Sequence, residues 1–176
     1  MKITAVLITK EKEYPKEVLD SLLGKFDEIL IKTECPSILA RYELAQQAKN
    51  EVIYLQDDDC LVDVDLLKTK YNGQLTNFIS AGHQQFYAAC GMTLIGWGAL
   101  FPKSMLNFSR YLDKFGVSPL FLREADRVFT YLNQPFNSIV IEIKHLPTAS
   151  SSGRMYTTNE HWETLKLIQQ QCAQLS

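Results

Sequence analysis

Three consecutive aspartates, Asp57, Asp58 and Asp59, are the residues whose types and spacing point most directly to chemistry. They follow the apolar run EVIYLQ at 51–56, which is typical of a buried strand. Adjacent carboxylates repel one another, and Mg²⁺ or Mn²⁺ relieves this by binding a few carboxylate oxygens, water and substrate phosphates. The pattern predicts a divalent-cation site. The alternative is that the aspartates cap the helix predicted after Asp63 or lie in solvent.

The position at the end of a strand also predicts which of the three carboxylates point to the same face. In an extended segment successive side chains point to opposite faces. Asp57 and Asp59 should then share one face, with Asp58 on the other. We therefore expect Asp57 and Asp59 to be the metal-ligating pair.

The elements that must position the aspartates form a βαβαβ pattern. Strands are predicted at 3–9, 27–33 and 51–56, with helices over 15–23 and 36–50 between them. Right-handed crossovers make such strands parallel, so their carboxyl ends share one edge of the sheet. Ligands of open α/β sheets bind at that edge, and the aspartates lie on it.

The rest of the chain is predicted to be less regular. The expected elements are a helix over 63–72, strands at 77–80 and 93–101, a helix from Pro102 to before Gly116, a helix over 122–132, a strand at 138–144, a polar loop at 150–158 and a closing amphipathic helix. The segment between Lys70 and Lys103 has no Asp, Glu, Lys or Arg. Its glycines favour a dry core segment of strands and loops over a membrane span.

Composition limits the function classes. The chain has 176 residues, of which 46% are hydrophobic and 22% charged, as expected for one globular domain. Its net charge of −2 lacks the positive excess that is typical of nucleic-acid-binding proteins. The four cysteines form no CxxC pair, so reduced thiols in a cytoplasmic protein are expected. The N-terminal residues lack the pattern of a signal peptide, and no transmembrane segment is expected.

A resemblance extends over roughly residues 3–145. The strand ending in Asp57–Asp59 resembles the DxD signature of GT-A-fold glycosyltransferases, family 2 and the exostosin-like enzymes especially. Arg41-Tyr42 in the preceding helix, GWGALFPKSML at 96–106 and LREADRVFTYL at 122–132 resemble further motifs of that family, in its order. The resemblance implies an α/β fold: a single GT-A-type domain with a Rossmann-like βαβαβ nucleotide-binding half and a mixed central sheet flanked by helices. The expected parts are a nucleotide-sugar-binding half at 1–62, an acceptor and catalytic half at 74–148, and a flexible loop and C-terminal helix at 150–176.

The catalytic residues implied by the resemblance lie in LREADRVFTYL. The family has an adjacent Glu-Asp pair whose aspartate faces the acceptor hydroxyl, whereas Glu124 and Asp126 are separated by one residue. On a regular helix their side chains would be about 200° apart, so one of them can face the site. Asp126 is our choice of base and Glu124 the reserve. The alternative is a surface carboxylate paired with Arg123 or Arg127.

The other site residues implied by the resemblance fall into three groups. Those expected to bind the donor nucleotide are Thr9, Glu11, Tyr14, Arg41, Asp57, Asp58 and, from its glycine- and serine-rich loop, Arg154. Trp97 and Gly98 are expected on the acceptor side, and Asp57, Asp59 and His145 around the metal. Structural roles stay open for Trp97, as a core tryptophan, for His145, as a satisfied histidine, and for Arg154, as a solvated loop residue.

The function implied by the resemblance is a metal-dependent glycosyltransferase. It would use Mn²⁺ or Mg²⁺ to move a sugar from a nucleoside-diphosphate sugar, with UDP-sugar favoured, to a glycan or another hydroxyl acceptor, with inversion. The short acceptor side also suggests a homo-oligomer or a partner subunit. A nucleotidyltransferase normally needs a glycine-rich loop after the first strand, and residues 9–13 have no glycine. A nucleotide-sugar-binding protein without catalysis is the other alternative.

Overall fold

The computed structural model describes residues 1–146 and 158–175, with the backbone alone for 158–161. The strands in these ranges are β1 Ile3–Ile8, β2 Glu28–Lys32, β3 Val52–Gln56, β4 Cys60–Leu61, β5 Thr76–Ile79, β6 Ala99–Pro102, β7 Asn137–Val140 and β8 Lys144–His145. The helices are α1 Lys16–Leu22, α2 Leu39–Ala45, α3 Val64–Lys70, α4 Ala81–Ala88, α5 Ser109–Phe115, α6 Pro119–Leu132 and α7 Thr158–Ala173. The predicted loop at 150–158 and its Arg154 lie outside the described side chains.

The central sheet has six strands in the order β2-β1-β3-β6-β5-β7. β1 pairs in parallel with β2 and β3, and β5 with β7, while β6 runs antiparallel to both β3 and β5. Five strands therefore point the same way and one is reversed. The sequence-based prediction of an α/β fold with a mixed sheet flanked by helices is confirmed.

Alternation along the strands builds a core on each face of the sheet. Ala5, Leu7 and Tyr54 pack with residues of α1 and α3, whereas Val6 and Leu55 point to the opposite face, among residues of α2, α5, α6 and α7. Both layers are needed because a parallel strand is apolar on both sides and must be covered on both. None of the helices within the described ranges is long and apolar enough to cross a membrane.

Residues 81–88 differ from the prediction. They form α4, with Tyr87 as its one buried residue, where the uncharged composition had predicted core strands and loops. Its exposed polar residues, His83 and Gln85, and the half-buried Gln84 have no formal charge. The absence of charged residues therefore led us to predict a core segment where the structure has a surface helix.

Three later elements are shorter or more broken than predicted. Strand β6 begins at Ala99, because Gly98 has a φ of +96° that no strand residue adopts. A 3₁₀ turn at Lys103–Met105 follows Pro102, and α5 starts only at Ser109. The strand predicted at 138–144 is divided, with β7 in the main sheet and β8 paired with β4. That division brings His145 beside Cys60, at the end of the aspartate run.

The core on the α6 face supports a stability prediction. Phe129 is fully buried, and its ring centroid lies 4.7 Å from that of Phe101 and 5.0 Å from that of Tyr42. We expect Phe129→Ala to lower the free energy of unfolding by about 3–5 kcal/mol, because it removes a ring and leaves a cavity. Val117→Ala is the control: Val117 is 64% exposed, so its effect should stay within about 0.5 kcal/mol. Urea unfolding followed by circular dichroism measures both. Equal losses would contradict this account of the core.

Candidate functional site

The three aspartates lie in a turn between β3 and β4, not in an extended segment as predicted. Buried groups beneath them fix the turn. The Gln56 side chain accepts a hydrogen bond from the Tyr54 hydroxyl and donates one to the carbonyl of Cys60, 2.7 Å away. The Asp57 amide donates to the carbonyl of Gly96 at 2.6 Å. In a turn, side chains do not alternate, and each carboxylate has different neighbours.

Asp57 is held on both sides. Its Oδ1 accepts a hydrogen bond from Nη2 of Arg41 at 2.5 Å. Its Oδ2 lies against the backbone of Gly96, where a Cβ would come within 1.9 Å of that oxygen. A side chain at residue 96 would therefore displace the Asp57 carboxylate from its position beside Arg41.

Arg41 joins two carboxylates that are far apart in sequence. The residue is 5% exposed, and its Nη1 donates to Oδ2 of Asp126 at 3.1 Å. Burial alone would lower the pKa of Arg41, but Asp126 and Asp57 outweigh burial and raise it. The guanidinium therefore stays charged and ties α2 to both the aspartate turn and α6.

Asp126 is buried at 8% exposure, with partners on α2. Besides the bond from Arg41, it accepts one from the Tyr42 hydroxyl at 2.8 Å. Burial raises the pKa of Asp126, and Arg41 opposes that rise. The alternative of an exposed carboxylate paired with Arg123 or Arg127 is wrong, because the direct partner is Arg41.

Glu124 interrupts the regular helix that the helical-wheel argument assumed. It has φ −113° and ψ 18°, which breaks α6 into two helical pieces, so the regular spacing of about 200° does not apply. Glu124 is buried like Asp126, at 2% exposure, and its Oε1 lies 3.3 Å from Nε of Arg123. Burial raises the pKa of Glu124, while Arg127 and Arg123 act against it.

The end of β1 meets the second aspartate. The Thr9 hydroxyl donates a hydrogen bond to Oδ2 of Asp58 and accepts one from the amide of Glu11 at 3.1 Å, while the Glu11 side chain is exposed. Tyr14 is buried, and its hydroxyl has no hydrogen-bond partner among the described residues. Burial, followed by Asp57 and Asp58, raises the pKa of Tyr14. A neutral phenol with an unused donor therefore lies near the aspartate turn.

Asp59 has one carboxylate oxygen without a hydrogen-bond partner among the described residues. Its Oδ1 is buried and accepts no hydrogen bond from the described residues. Burial and then Asp57 raise the pKa of Asp59, and the His145 imidazole opposes them. The amide of Leu146 donates to the Asp59 carbonyl at 2.7 Å, which fixes His145 and Asp59 in the same corner.

Whether a divalent cation could bind between the aspartate turn and His145 depends chiefly on Asp59. Among the side chains of residues 1–146 and 162–175, no three His, Cys, Asp or Glu residues converge as a complete metal site. An unpartnered buried carboxylate oxygen is nevertheless a suitable ligand for Mg²⁺ or Mn²⁺, which take one or two carboxylates and fill their shell with phosphate and water. The donor set fits a cation that arrives with a phosphate ligand.

Trp97 lies between two histidines at the same edge of the sheet. Its ring centroid is 4.8 Å from that of His83 and 5.1 Å from that of His145. Gly98, by contrast, is buried, and a Cβ there would lie 3.2 Å from Val62, so this glycine serves backbone packing. Sequence reasoning assigned no role to His83. Its position just after β5, at the carboxyl edge of a parallel strand, is the signal that could have found it.

Comparisons with known proteins identify a similar fold but assign the chain to no family. No family model matches the chain, and no curated protein matches it. Among solved structures, the chain is similar to the crystal structure of A197 from STIV, with a TM-score of 0.53 and 11% sequence identity. The similarity covers 84% of this chain and 87% of that one. At this identity the similarity shows a shared α/β fold alone.

Proposed function

We propose that this chain is a metal-dependent glycosyltransferase that moves a sugar from a nucleoside-diphosphate sugar, UDP-sugar in the first instance, to an acceptor hydroxyl. The observation that carries the proposal is the buried, unpartnered Oδ1 of Asp59. It lies at the carboxyl end of β3, on the ligand-binding edge of the sheet. Thr9, Arg41 and His145 surround the same turn.

The metal would bind chiefly through Asp59, with His145 next to it. Asp57 is a weaker ligand than the sequence predicted, because one of its oxygens is bonded to Arg41 and the other is packed on Gly96. When bound, Mn²⁺ or Mg²⁺ supplies stabilisation of the negative charge that develops on the leaving diphosphate. In this proposal Asp57 acts by holding Arg41.

The donor nucleotide would lie between the end of β1 and the aspartate turn. Tyr14 brings a buried hydroxyl with no partner among the described residues, and a phosphate or ribose oxygen would satisfy it. The Thr9 hydroxyl holds the Asp58 carboxylate by a hydrogen bond, and the Glu11 side chain, two residues further along the chain, is exposed to solvent. Arg41 is buried and bonded to Asp57 and Asp126, so it would favour the diphosphate by offsetting the charge of these carboxylates.

Asp126 is the proposed base. Arg41 and Tyr42 orient its carboxylate by hydrogen bonds to different oxygens, and each oxygen keeps a second lone pair for the acceptor proton. Burial raises the pKa of the group, which makes it a stronger base, and Arg41 opposes that rise. One base opposite the leaving group implies a single displacement with inversion.

A non-catalytic nucleotide-sugar-binding protein is the second candidate. It is favoured by the same contacts, because Asp126 is 8% exposed and already bonded to two side chains of α2. In that case Asp126 would serve as a structural partner of Arg41. A nucleotidyltransferase remains a weaker alternative, since the segment after β1 has no glycine-rich loop.

The first prediction concerns the metal. UDP should raise the melting temperature in Mn²⁺ or Mg²⁺ and much less in EDTA, because a ligand that binds only the folded state stabilises it by about 2.7 kcal/mol at a hundredfold excess over Kd. Asp59→Asn should abolish the metal-dependent part. In EDTA the variant should melt no lower than the parent, because the buried charge it removes is disfavoured, as the raised pKa of Asp59 indicates.

The control for the metal experiment is Asp113→Asn, because Asp113 is exposed on α5. It should keep the whole metal-dependent shift. A shift of equal size in EDTA would remove the cation from the proposal. Absence of any shift with UDP and other nucleotides would remove the donor site as well.

The second prediction concerns the base. Asp126→Asn keeps the shape and removes the basicity, so sugar transfer should fall by about 10²-fold or more while UDP still binds. The change also breaks a buried ion pair, which typically costs about 3–5 kcal/mol. Transfer must therefore be measured well below the melting temperature of the variant, in single-turnover assays with a radiolabelled donor.

The matched control for the base is Tyr42→Phe. It removes one hydrogen bond to the same carboxylate but leaves its charge, so transfer should fall by about tenfold or less. Glu124→Gln should also be mild. If Asp126→Asn retains transfer within the range of Tyr42→Phe, Asp126 is a structural partner of Arg41 and not the base.

A further inference from the structure

The indole of Trp97 is bracketed by imidazoles from two different elements. His83 comes from α4, and His145 comes from β8, on the side of the aspartate turn. Both rings meet the indole edge to face, with interplanar angles of 77° and 71°. Trp97 is half-buried, while both histidines are exposed. Trp97, His83 and His145 therefore form a partly exposed aromatic surface next to Asp59, which we call the aromatic wall.

The polar atoms of this wall are largely unused. Nδ1 of His83 lies 2.8 Å from the Ser80 hydroxyl, which fixes the orientation of the ring. Its Nε2 has no hydrogen-bond partner among the described residues, and neither ring nitrogen of His145 has one. An aromatic surface flanked by free hydrogen-bonding atoms suits a ligand that is apolar on its face and polar around its rim.

We propose that Trp97 and His83 form a subsite for a sugar ring of the acceptor, which packs on the indole while Nε2 of His83 hydrogen-bonds one of its hydroxyls. This inference rests on the proposed function and narrows its acceptor to a carbohydrate. His145, between Trp97 and Asp59, places that sugar beside the proposed metal and donor diphosphate.

The charge state of His83 favours a hydroxyl over an anionic ligand. One side of its ring packs against Trp97 and Tyr87, and this partial burial, followed by the positive charge of Arg127 and by His145, lowers the pKa of His83. Its imidazole is therefore neutral at neutral pH, with one ring nitrogen that donates and one that accepts. A hydroxyl, which also donates and accepts, can pair with either tautomer. A phosphate dianion only accepts hydrogen bonds and would be held best by a protonated ring, which this environment disfavours.

The test uses the fluorescence of Trp97 itself. The chain has two tryptophans, Trp97 and Trp162, so Trp162→Phe leaves Trp97 as the sole indole. Trp162 packs on Phe86 with ring centroids 3.9 Å apart, and phenylalanine keeps that contact apolar. The single-tryptophan protein, loaded with UDP and Mn²⁺, is titrated with methyl glycosides of glucose, galactose, mannose and N-acetylglucosamine up to molar concentration.

At least one glycoside should change the emission of Trp97 in a saturable way. His83→Ala in the same background should raise the apparent Kd by about three- to tenfold, which corresponds to one neutral hydrogen bond. His83→Gln, which can still donate and accept, should recover part of the loss. Gln85→Ala, an exposed neighbour on α4, should leave the Kd unchanged.

Two results would overturn the subsite. One is the absence of any saturable response to all four glycosides. The other is a response whose Kd is the same with His83→Ala and with Gln85→Ala. The thermal shift with UDP and Mn²⁺, measured on the same samples, separates the two proposals. A normal shift without a sugar response removes only the acceptor subsite, whereas loss of both removes the proposed function.

Discussion

The buried guanidinium of Arg41 is the interaction on which the described site depends. It bonds Asp57 from the turn after β3 and Asp126 from α6, while remaining 5% exposed itself. Asp57, Asp58, Asp59 and Asp126 would otherwise bring four negative charges together at one edge of the sheet. A lysine could not replace the arginine, because a single ammonium group lacks the planar fork that reaches two carboxylates in fixed directions. Removing either partner would leave a charge that burial makes costly.

The parts of the fold predicted well from sequence are those set by local periodicity. The first three strands and the helices between them follow runs of apolar residues, and the structure reproduces their order with ends shifted by a few residues. Long-range pairing decided the rest. The break after β7 and the pairing of β8 with β4 depend on contacts across about 85 residues. No local pattern around His145 encodes that partner.

In the candidate site, too, local sequence patterns were predicted well and long-range contacts were not. The sequence identified the aspartate cluster, because three carboxylates after a buried strand are conspicuous, but it did not predict their separate partners. The bond between Arg41 and Asp126 joins residues 85 positions apart. The kink at Glu124 removes the regular spacing from which we argued that only one of the two carboxylates can face the site. His83 was missed since it lies in a segment read as buried. Its contact with Trp97 exists only once α4 folds over the sheet edge.

The reversed direction of β6 has a wider consequence for the shape of this edge. In an all-parallel sheet, the ligand-binding edge is built only from segments that leave strands. Because β6 runs the other way between β3 and β5, it starts at this edge, and the segment that enters it crosses directly beside the aspartate turn. Gly96 and Trp97 belong to that entering segment. One inverted strand thus places a loop across this edge from the middle of the sheet, and substitutions in that loop away from the close contact at Gly96 would not disturb any crossover helix.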